Sequence, residues 1–407
     1  MGYKRTITMK RLKIAIFSGV IPSTTFIEQL IEGVAETHEV LLFGVVNTRK
    51  HYASNHVKIY STPKSHIVNL VFTVYRLFLL LLRRPRAAYL LFKEVLSYTR
   101  LYDRWIWFSK FLPIVLYRPD VLHLQWARDI EFYAFLQDVF HIPIVVSFRG
   151  AHINYTPILQ PEVAAIYKRT FPKLRAFHAV SEAIAVEAQQ YGASSECIRV
   201  IHSPLNFKAL HFKRAPIHFG ATLRLLSVGR FHWKKGYRYA LSALSLLKQQ
   251  GVNVEYTIVS SNAINEELLF QIHQEGLEDS VTIKSGLSQD DLFRFMSRFD
   301  VMLLPSLEEG IANVVLEAMA LGVPVISTDC GGMREVVKPG ETGWLVPVRD
   351  AEALANAVVD VMQTDAQVLE RIVQQAHDFV KAEFAAEDSI GQFLELYEGV
   401  CGFKVES

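Results

Sequence analysis

Two doubly wound α/β domains in tandem are what this sequence predicts, on three observations. The chain has 407 residues, more than one hydrophobic core normally serves, so two domains of about 200 residues each are expected. Its first half alternates short apolar runs with longer helical stretches, the pattern of a parallel sheet covered by helices. From Leu223 the same alternation starts afresh.

The first element is the apolar run Leu12–Phe17, followed by Ser18-Gly19 and a helix for which Thr25-x-x-Glu28 reads as a capping box. Further strands are expected at Val40–Val46, Val121–Leu124, Ile144–Ser147 and Phe177–Val180. Pro204 and Pro216 interrupt a stretch without periodicity, which places a linker and hinge near 204–220. Beyond it LRLLSVGR, VEYTIVS, VTIKSG, DVMLLPS and GVPVIST read as strands with helices between them. The stretch FVKAEFAAEDSIGQFLELYEGV reads as one terminal helix. These boundaries give domains at 1–204 and 218–385 and a last helix at 386–407. Sheets of this kind bind ligands at the carboxyl ends of their strands, so functional residues belong there.

Composition narrows the function classes. Half the residues are hydrophobic and 21% are charged, with a formal net charge of only +2. That is a folded globular chain with no overall pull toward nucleic acid. Cys197, Cys330 and Cys401 lack Cys-x-x-Cys spacing and are too few for a disulfide framework, so a reducing cytoplasm is expected. The apolar start is too short for the core of a signal peptide. The tract Val68–Leu82, interrupted by Arg76, falls short of the roughly 20 residues that span a bilayer.

Chemistry concentrates in two segments of the second half. In SVGRFHWKKG, Gly229 and Arg230 end a strand and Lys235 opens the next helix, so two cations stand at a ligand-binding edge. Each contributes about 4 kcal/mol of attraction to a phosphate charge at ~4 Å and an effective dielectric of ~20, before desolvation. Taken alone, Arg230 and Lys235 read equally well as solvated loop charges. No Walker A loop and no G-x-G-x-x-G occurs in the chain. In PSLEEGIANVVLEAMALGVPVISTDCGG, Glu309 lies in a loop and Glu317 lies in the helix that follows, seven residues intervening. The free amides of Gly310, Ile311, Ala312, Asn313 and Val314 form an anion site at that helix's N-terminus, and Gly310 allows close backbone approach. Carboxylates accept hydrogen bonds in pairs, which suits the vicinal hydroxyls of a ribose or hexose. For Glu309 alone, the plain alternative is an acid favoured by the helix dipole.

In combination, Gly229-Arg230, Lys235-Gly236, the Glu309/Glu317 pair, GGMREVV with Glu335 and GETGWLVP resemble the retaining nucleotide-sugar glycosyltransferases of the GT-B fold, family four, over nearly the whole chain. The resemblance implies a GT-B fold of two Rossmann-like domains facing across a cleft. It implies Arg230 and Lys235 on the donor diphosphate, Glu317 on the ribose and Glu309 with the amides of Gly310–Asn313 around the transferred sugar. Ser285 and Leu287, in the segment Lys284–Leu287, would border the base. The cations would replace a divalent metal, so no metal and no cofactor is expected beyond the nucleotide-sugar donor, UDP- or GDP-linked. A nucleotide-sugar 2-epimerase shares this architecture and is the alternative.

On the acceptor side, PSTTFIEQL, PDVLHLQWA and IPIVVSFRGAHI are similar to segments of family members that build bacterial exopolysaccharides. They direct attention to Gly19, His123, Arg149 and His152 as acceptor-binding residues for a glycan or lipid-linked acceptor. Arg149 stands where the family often has His, so no imidazole serves as a base there. His152, three residues on, is a substitute or a polar surface residue, and His123 is a catalytic group or a satisfied core histidine. Residues 76–118 carry nine Lys or Arg against two acids, with ten aromatics among them. Two readings of this segment stay open. It docks on an anionic membrane at the inner face, or it is a helical insertion with Trp105 and Trp107 in its core. Single-stranded nucleic acid fits its Leu-rich composition poorly.

Overall fold

The computed structural model describes residues 11–205, 207, 210 and 219–402, and the greater part of the expected linker lies outside them. The chain divides into two compact units. The first holds Met1–Ala179, Ala185–Pro204 and Ser389–Ser407, and the second holds Val180–Ile184 and Leu205–Asp388.

The first unit is a parallel sheet of seven strands, β1 (Lys13–Ile21), β2 (Glu39–Val46), β3 (Val57–Ser61), β4 (Val121–Leu124), β5 (Ile144–Phe148), β6 (Ala176–Ala179) and β7 (Ile198–Val200). Their order is β3-β2-β1-β4-β5-β6-β7. The strand order reverses direction between β1 and β4. Ile14, Ile16, Val40, Leu42, Val121 and Val145 lie in one core cluster, which Phe393, Leu396 and Tyr397 of the terminal helix join. A sheet covered on both faces demands near-continuous apolar strands, which is why these runs were legible. β3 and β7 were not expected. They are short edge strands whose residues are only partly buried, so they carry no such run.

The second unit is a parallel sheet of β8 (Leu223–Val228), β9 (Val254–Ser260), β10 (Val281–Ser285), β11 (Val301–Leu304), β12 (Val325–Thr328) and β13 (Trp344–Val346), in the order β10-β9-β8-β11-β12-β13. Its reversal falls between β8 and β11. One core cluster gathers around Leu225, Leu241 and Tyr256, and another around Leu226, Met302 and Met319.

Three local expectations need correction. Thr24, not Thr25, precedes the first helix, Thr25–Thr37, and its side chain makes no cap. Glu28 instead accepts from the Ser23 amide at 2.5 Å, from Lys50 Nζ at 2.9 Å and from the Tyr52 hydroxyl at 2.9 Å. The expected single terminal helix is two, Ala366–Glu383 and Ala386–Val400, broken where the Phe384 carbonyl accepts from the Leu205 amide at 3.1 Å.

The third concerns residues 76–118, which do not form one amphipathic patch. Three helices, His66–Arg83, Pro85–Leu96 and Leu101–Tyr117, occupy this region. The last is core, with Trp107, Phe108, Phe111, Leu112 and Ile114 buried and Trp105 half-buried. The first is inside out: it buries Asn69, Thr73, Arg76 and Leu80 and exposes Ile67, Leu70, Val71, Val74, Tyr75, Phe78 and Leu82. Arg76 donates to the Ser61 carbonyl at 3.0 Å and Asn69 to Ser109 Oγ at 3.1 Å, so the polar stripe is anchored in the domain. With 18 residues this helix is ~27 Å long. By length and composition alone it is apolar enough to cross a membrane.

Candidate active site

The switch point of the second sheet assembles the cluster. Gly229 follows β8, and a single 3-10 turn, Trp233–Lys235, precedes the helix Tyr237–Gln249. After β11 the chain enters the loop that carries Glu309. Lys235 Nζ meets Glu309 Oε1 at 2.6 Å, and Lys234 Nζ stands 3.7 Å from Oε2. Ser306 Oγ donates to the same carboxylate at 2.9 Å. Glu309 is only 7% exposed. Burial pushes its carboxyl up, but the two ammonium groups and the hydrogen bonds from Lys235 and Ser306 outweigh burial and hold it below its ordinary range. It is therefore a carboxylate at neutral pH, which a solvated dipole-stabilised acid would not need such partners to be. Lys235 is likewise no solvated loop charge, whereas Arg230 is exposed.

Steric needs fix where the glycines fall. Gly236 has φ +64°, and a Cβ there would stand 1.9 Å from the Pro305 carbonyl oxygen. At Gly331, with φ +52°, a Cβ would stand 1.8 Å from the Glu309 carbonyl oxygen. Gly331 thus packs closely on the Glu309 loop. The Gly332 amide then donates to the Gly310 carbonyl at 2.8 Å.

The helix Asn313–Ala320 starts after Ala312, whose side chain offers no cap. The amides of Gly310, Ile311, Asn313 and Val314 have no partner among the described residues, which leaves them for an anion. Ala312 differs, because its amide is directed at Met333 Sδ, 3.4 Å away. Glu317 lies in this helix, with Gln289 Nε2 at 3.5 Å from its carboxylate. Burial raises its carboxyl to about 7, and Gln289 opposes only weakly. Ser285 ends β10 and is exposed, and Leu287 packs against the second core cluster. No hydrogen bond among the described residues ties either to the Lys235–Glu309 cluster.

Several contributors escaped the sequence reading. Lys234 was passed over beside Lys235. Asn262 binds both backbone groups of Phe231, accepting from its amide at 2.8 Å and donating to its carbonyl at 3.2 Å, and so positions the basic loop. The Tyr237 hydroxyl donates to the Gly229 carbonyl at 2.9 Å. Glu335, by contrast, stands in the GGMREVV motif named from the sequence, and it accepts from the amides of Glu182 and Ala183 at 3.0 Å each, which ties the segment Val180–Ile184 to the second unit.

In the first unit the four expected residues part company. Gly19, with φ +86°, lines a pocket at the ends of β1 and β4. His123 is a core histidine, fully buried and bonded to Ser147 Oγ and the Tyr397 hydroxyl, each at 2.7 Å. Burial holds its imidazole well below its usual range, so it is neutral and spent. His152 is half-buried rather than a surface residue, and Trp126 lies beside it at 5.7 Å. Arg149 donates to Gln125 Oε1 at 2.8 Å and sits 4.4 Å from the Phe26 ring. Its Nε and Nη1 are buried without partners, and burial pulls the guanidinium down to about 9.

Both units match known family models: residues 23–204 match the glycosyl transferase 4-like domain and residues 222–364 match the glycosyl transferases group 1 model. The chain belongs to the group 1 glycosyltransferases, and its two α/β units make the GT-B fold. Among relatives, it is 33% identical to the amylovoran biosynthesis glycosyltransferase AmsK of Erwinia amylovora, over 62% of this chain and 63% of that protein. It is 33% identical to the putative colanic acid biosynthesis glycosyltransferase WcaL of Escherichia coli, over 59% of this chain and 60% of that one. The matches therefore span somewhat less than two-thirds of these relatives' lengths. Two solved structures share the fold. HepE of Anabaena, in complex with UDP, aligns with TM-score 0.68 and 17% identity over 96% of this chain and 100% of that one. Sucrose-phosphate synthase of Thermosynechococcus elongatus aligns with TM-score 0.76 and 19% identity over 97% and 100%.

Proposed function

We propose that this chain transfers a hexose, with retention and without a metal ion, from a UDP- or GDP-linked donor to a glycan or lipid-linked acceptor in surface polysaccharide synthesis. The observation that carries the reading is the Lys234/Lys235–Glu309 cluster beside unspent helix amides at the β8/β11 switch point. As the anomeric bond breaks, the diphosphate gains negative charge and the sugar becomes oxocarbenium-like. Arg230, Lys235 and the amides of Gly310, Ile311 and Asn313 answer the first charge. Glu309, held ionised, answers the second or fixes the sugar hydroxyls, and Glu317 takes the ribose diol. Lys235 also touches Glu309, so one cation both meets the diphosphate and orients the carboxylate. The relatives' names speak of transfer, and no observation favours the epimerase alternative.

Calorimetric titration of UDP and GDP with chelator present tests this reading, UDP first because the fold neighbour HepE holds it. One nucleotide is expected to bind metal-free, and Lys235→Ala and Glu317→Ala are each expected to weaken it by roughly 10- to 100-fold, the loss of a charge-assisted hydrogen bond. Binding of neither nucleotide removes the donor site. Binding that returns only with Mg²⁺ removes the metal independence.

The enzyme works, in this reading, at the cytoplasmic face of a membrane. What supports it is the outward apolar face of His66–Arg83 together with exposed Tyr89, Phe92 and Leu96, flanked by the exposed cations Arg83, Arg84, Arg86, Lys93 and Arg100. A basic rim around an apolar face suits anionic lipid.

A further inference from the structure

At the β1/β4 switch point of the first unit lies a pocket of about 200 Å³, lined among others by Gly19, Lys110, Trp126, Arg128, Asp129 and Tyr133. This is the crevice where a doubly wound sheet takes its ligand. Its size is below the roughly 300–1,000 Å³ of pockets for drug-sized molecules, which suits a single sugar unit or a phosphate-bearing group.

The charges in it are unbalanced. Lys110 reaches it from the mostly buried helix Leu101–Tyr117 and is itself half-buried. No ion pair holds it among the described residues, and its ammonium stands 4.2 Å from the Trp107 ring centroid. Arg128 is exposed and has no ion-pair partner either, so two cations face the one acid, Asp129. Lys110 and Arg128 share the single acid Asp129, so the half-buried ammonium carries a desolvation cost that a bound oxyanion would offset. A neutral sugar would leave two cations facing one acid.

We propose that this pocket is an oxyanion subsite for the acceptor, with Lys110 and Arg128 holding a carboxylate or phosphate. Trp126 gives a sugar ring an apolar face, and Asp129 accepts from a hydroxyl beside the anionic group. The subsite rests on the transferase reading for its purpose, but its binding is measurable without transfer. Oxyanions reach such a site from two sources, the carboxylate of a uronosyl residue or the phosphate of a lipid carrier.

Ligand-observed NMR titration of the full chain tests it, with methyl glucuronide, methyl glucoside, and glycerol phosphate as the phosphate probe. The expected result is that at least one oxyanion binds tenfold or more tightly than the glucoside. Preference for the glucuronide assigns a uronosyl acceptor, and preference for glycerol phosphate assigns a lipid phosphate. Lys110→Gln is expected to erase the preference and Lys110→Arg to keep it. Arg128→Gln, at an exposed position, is expected to reduce it several-fold even where a Lys110 variant folds poorly. Glucoside bound as well as the oxyanions, no binding of any of the three, or a preference untouched in both Gln variants overturns the proposal. UDP or GDP affinity is expected to stay within twofold in all these variants. Loss of nucleotide binding in the native chain would instead count against the donor site alone.

Discussion

Glu317 carries a carboxyl raised to about 7 by burial, so on the proposed reading nucleotide binding is expected to depend on pH through this residue. Between the ordinary carboxyl range and pH 7 the folded chain holds a proton that the unfolded chain has released. Its contribution to stability therefore falls as pH rises through that window. A ribose diol donating to Glu317 favours the carboxylate, so binding expels the proton and affinity rises with pH up to about 7, then levels. Calorimetry in buffers of different ionisation enthalpy is expected to show proton release near pH 6 in the native chain and none in Glu317→Gln. Equal proton release in both would move the ribose contact elsewhere. Arg149 poses the opposite case, a guanidinium with Nε and Nη1 buried and unpartnered. A buried, poorly paired charge costs stability unless function retains it. Arg149→Met is expected to melt no lower than the native chain while losing tenfold or more in transfer rate, whereas a lower melting point with unchanged rate would make Arg149 structural. The sequence made both residues visible because each stands in an ordered motif. It hid Lys234, Asn262 and Ser306, whose roles arise only when the loops after β8, β9 and β11 converge.

At the scale of elements, legibility followed burial. Strands buried on both faces announced themselves as apolar runs, and the exposed edge strand β10 did so through its β-branched residues, whereas the short edge strands β3, β7 and β13 did not. The helix His66–Arg83 misled for a related reason: an apolar tract names a hydrophobic face but not the side to which it turns. Here the inward stripe of Asn69, Thr73 and Arg76 recurs at three- to four-residue spacing, which puts the apolar residues outside. So large an exposed apolar surface calls for a partner. Co-sedimentation with vesicles rich in phosphatidylserine is expected to carry down the native chain at low salt, and to fail for the double variant Val74→Glu, Phe78→Glu. Both positions are exposed, at 59% each, so their replacement should leave melting unchanged. Sedimentation unaffected by these changes would return the helix to a protein partner.

Across the whole molecule, the two units have separate cores, one around Ile14 and Val121 and the others around Leu225 and Met302. The Lys234/Lys235–Glu309 cluster belongs wholly to the second unit, and so do Trp233 and Trp344, whereas Trp105, Trp107 and Trp126 belong to the first. Unfolding of such a chain is not expected to be two-state. Scanning calorimetry should give a van't Hoff enthalpy below the calorimetric one, with the second unit melting as its own step. Nucleotide at 100 times its Kd stabilises the unit that binds it by about 2.7 kcal/mol, which for a domain of ~200 residues corresponds to roughly 5–11 °C. That step alone should move, and Lys235→Ala, binding 10- to 100-fold more weakly, should cut the stabilisation to about 0.4–1.4 kcal/mol at the same nucleotide concentration. A single transition displaced as a whole by nucleotide would show instead that the two units melt together, and that nucleotide stabilises the first unit's sheet as strongly as the second's.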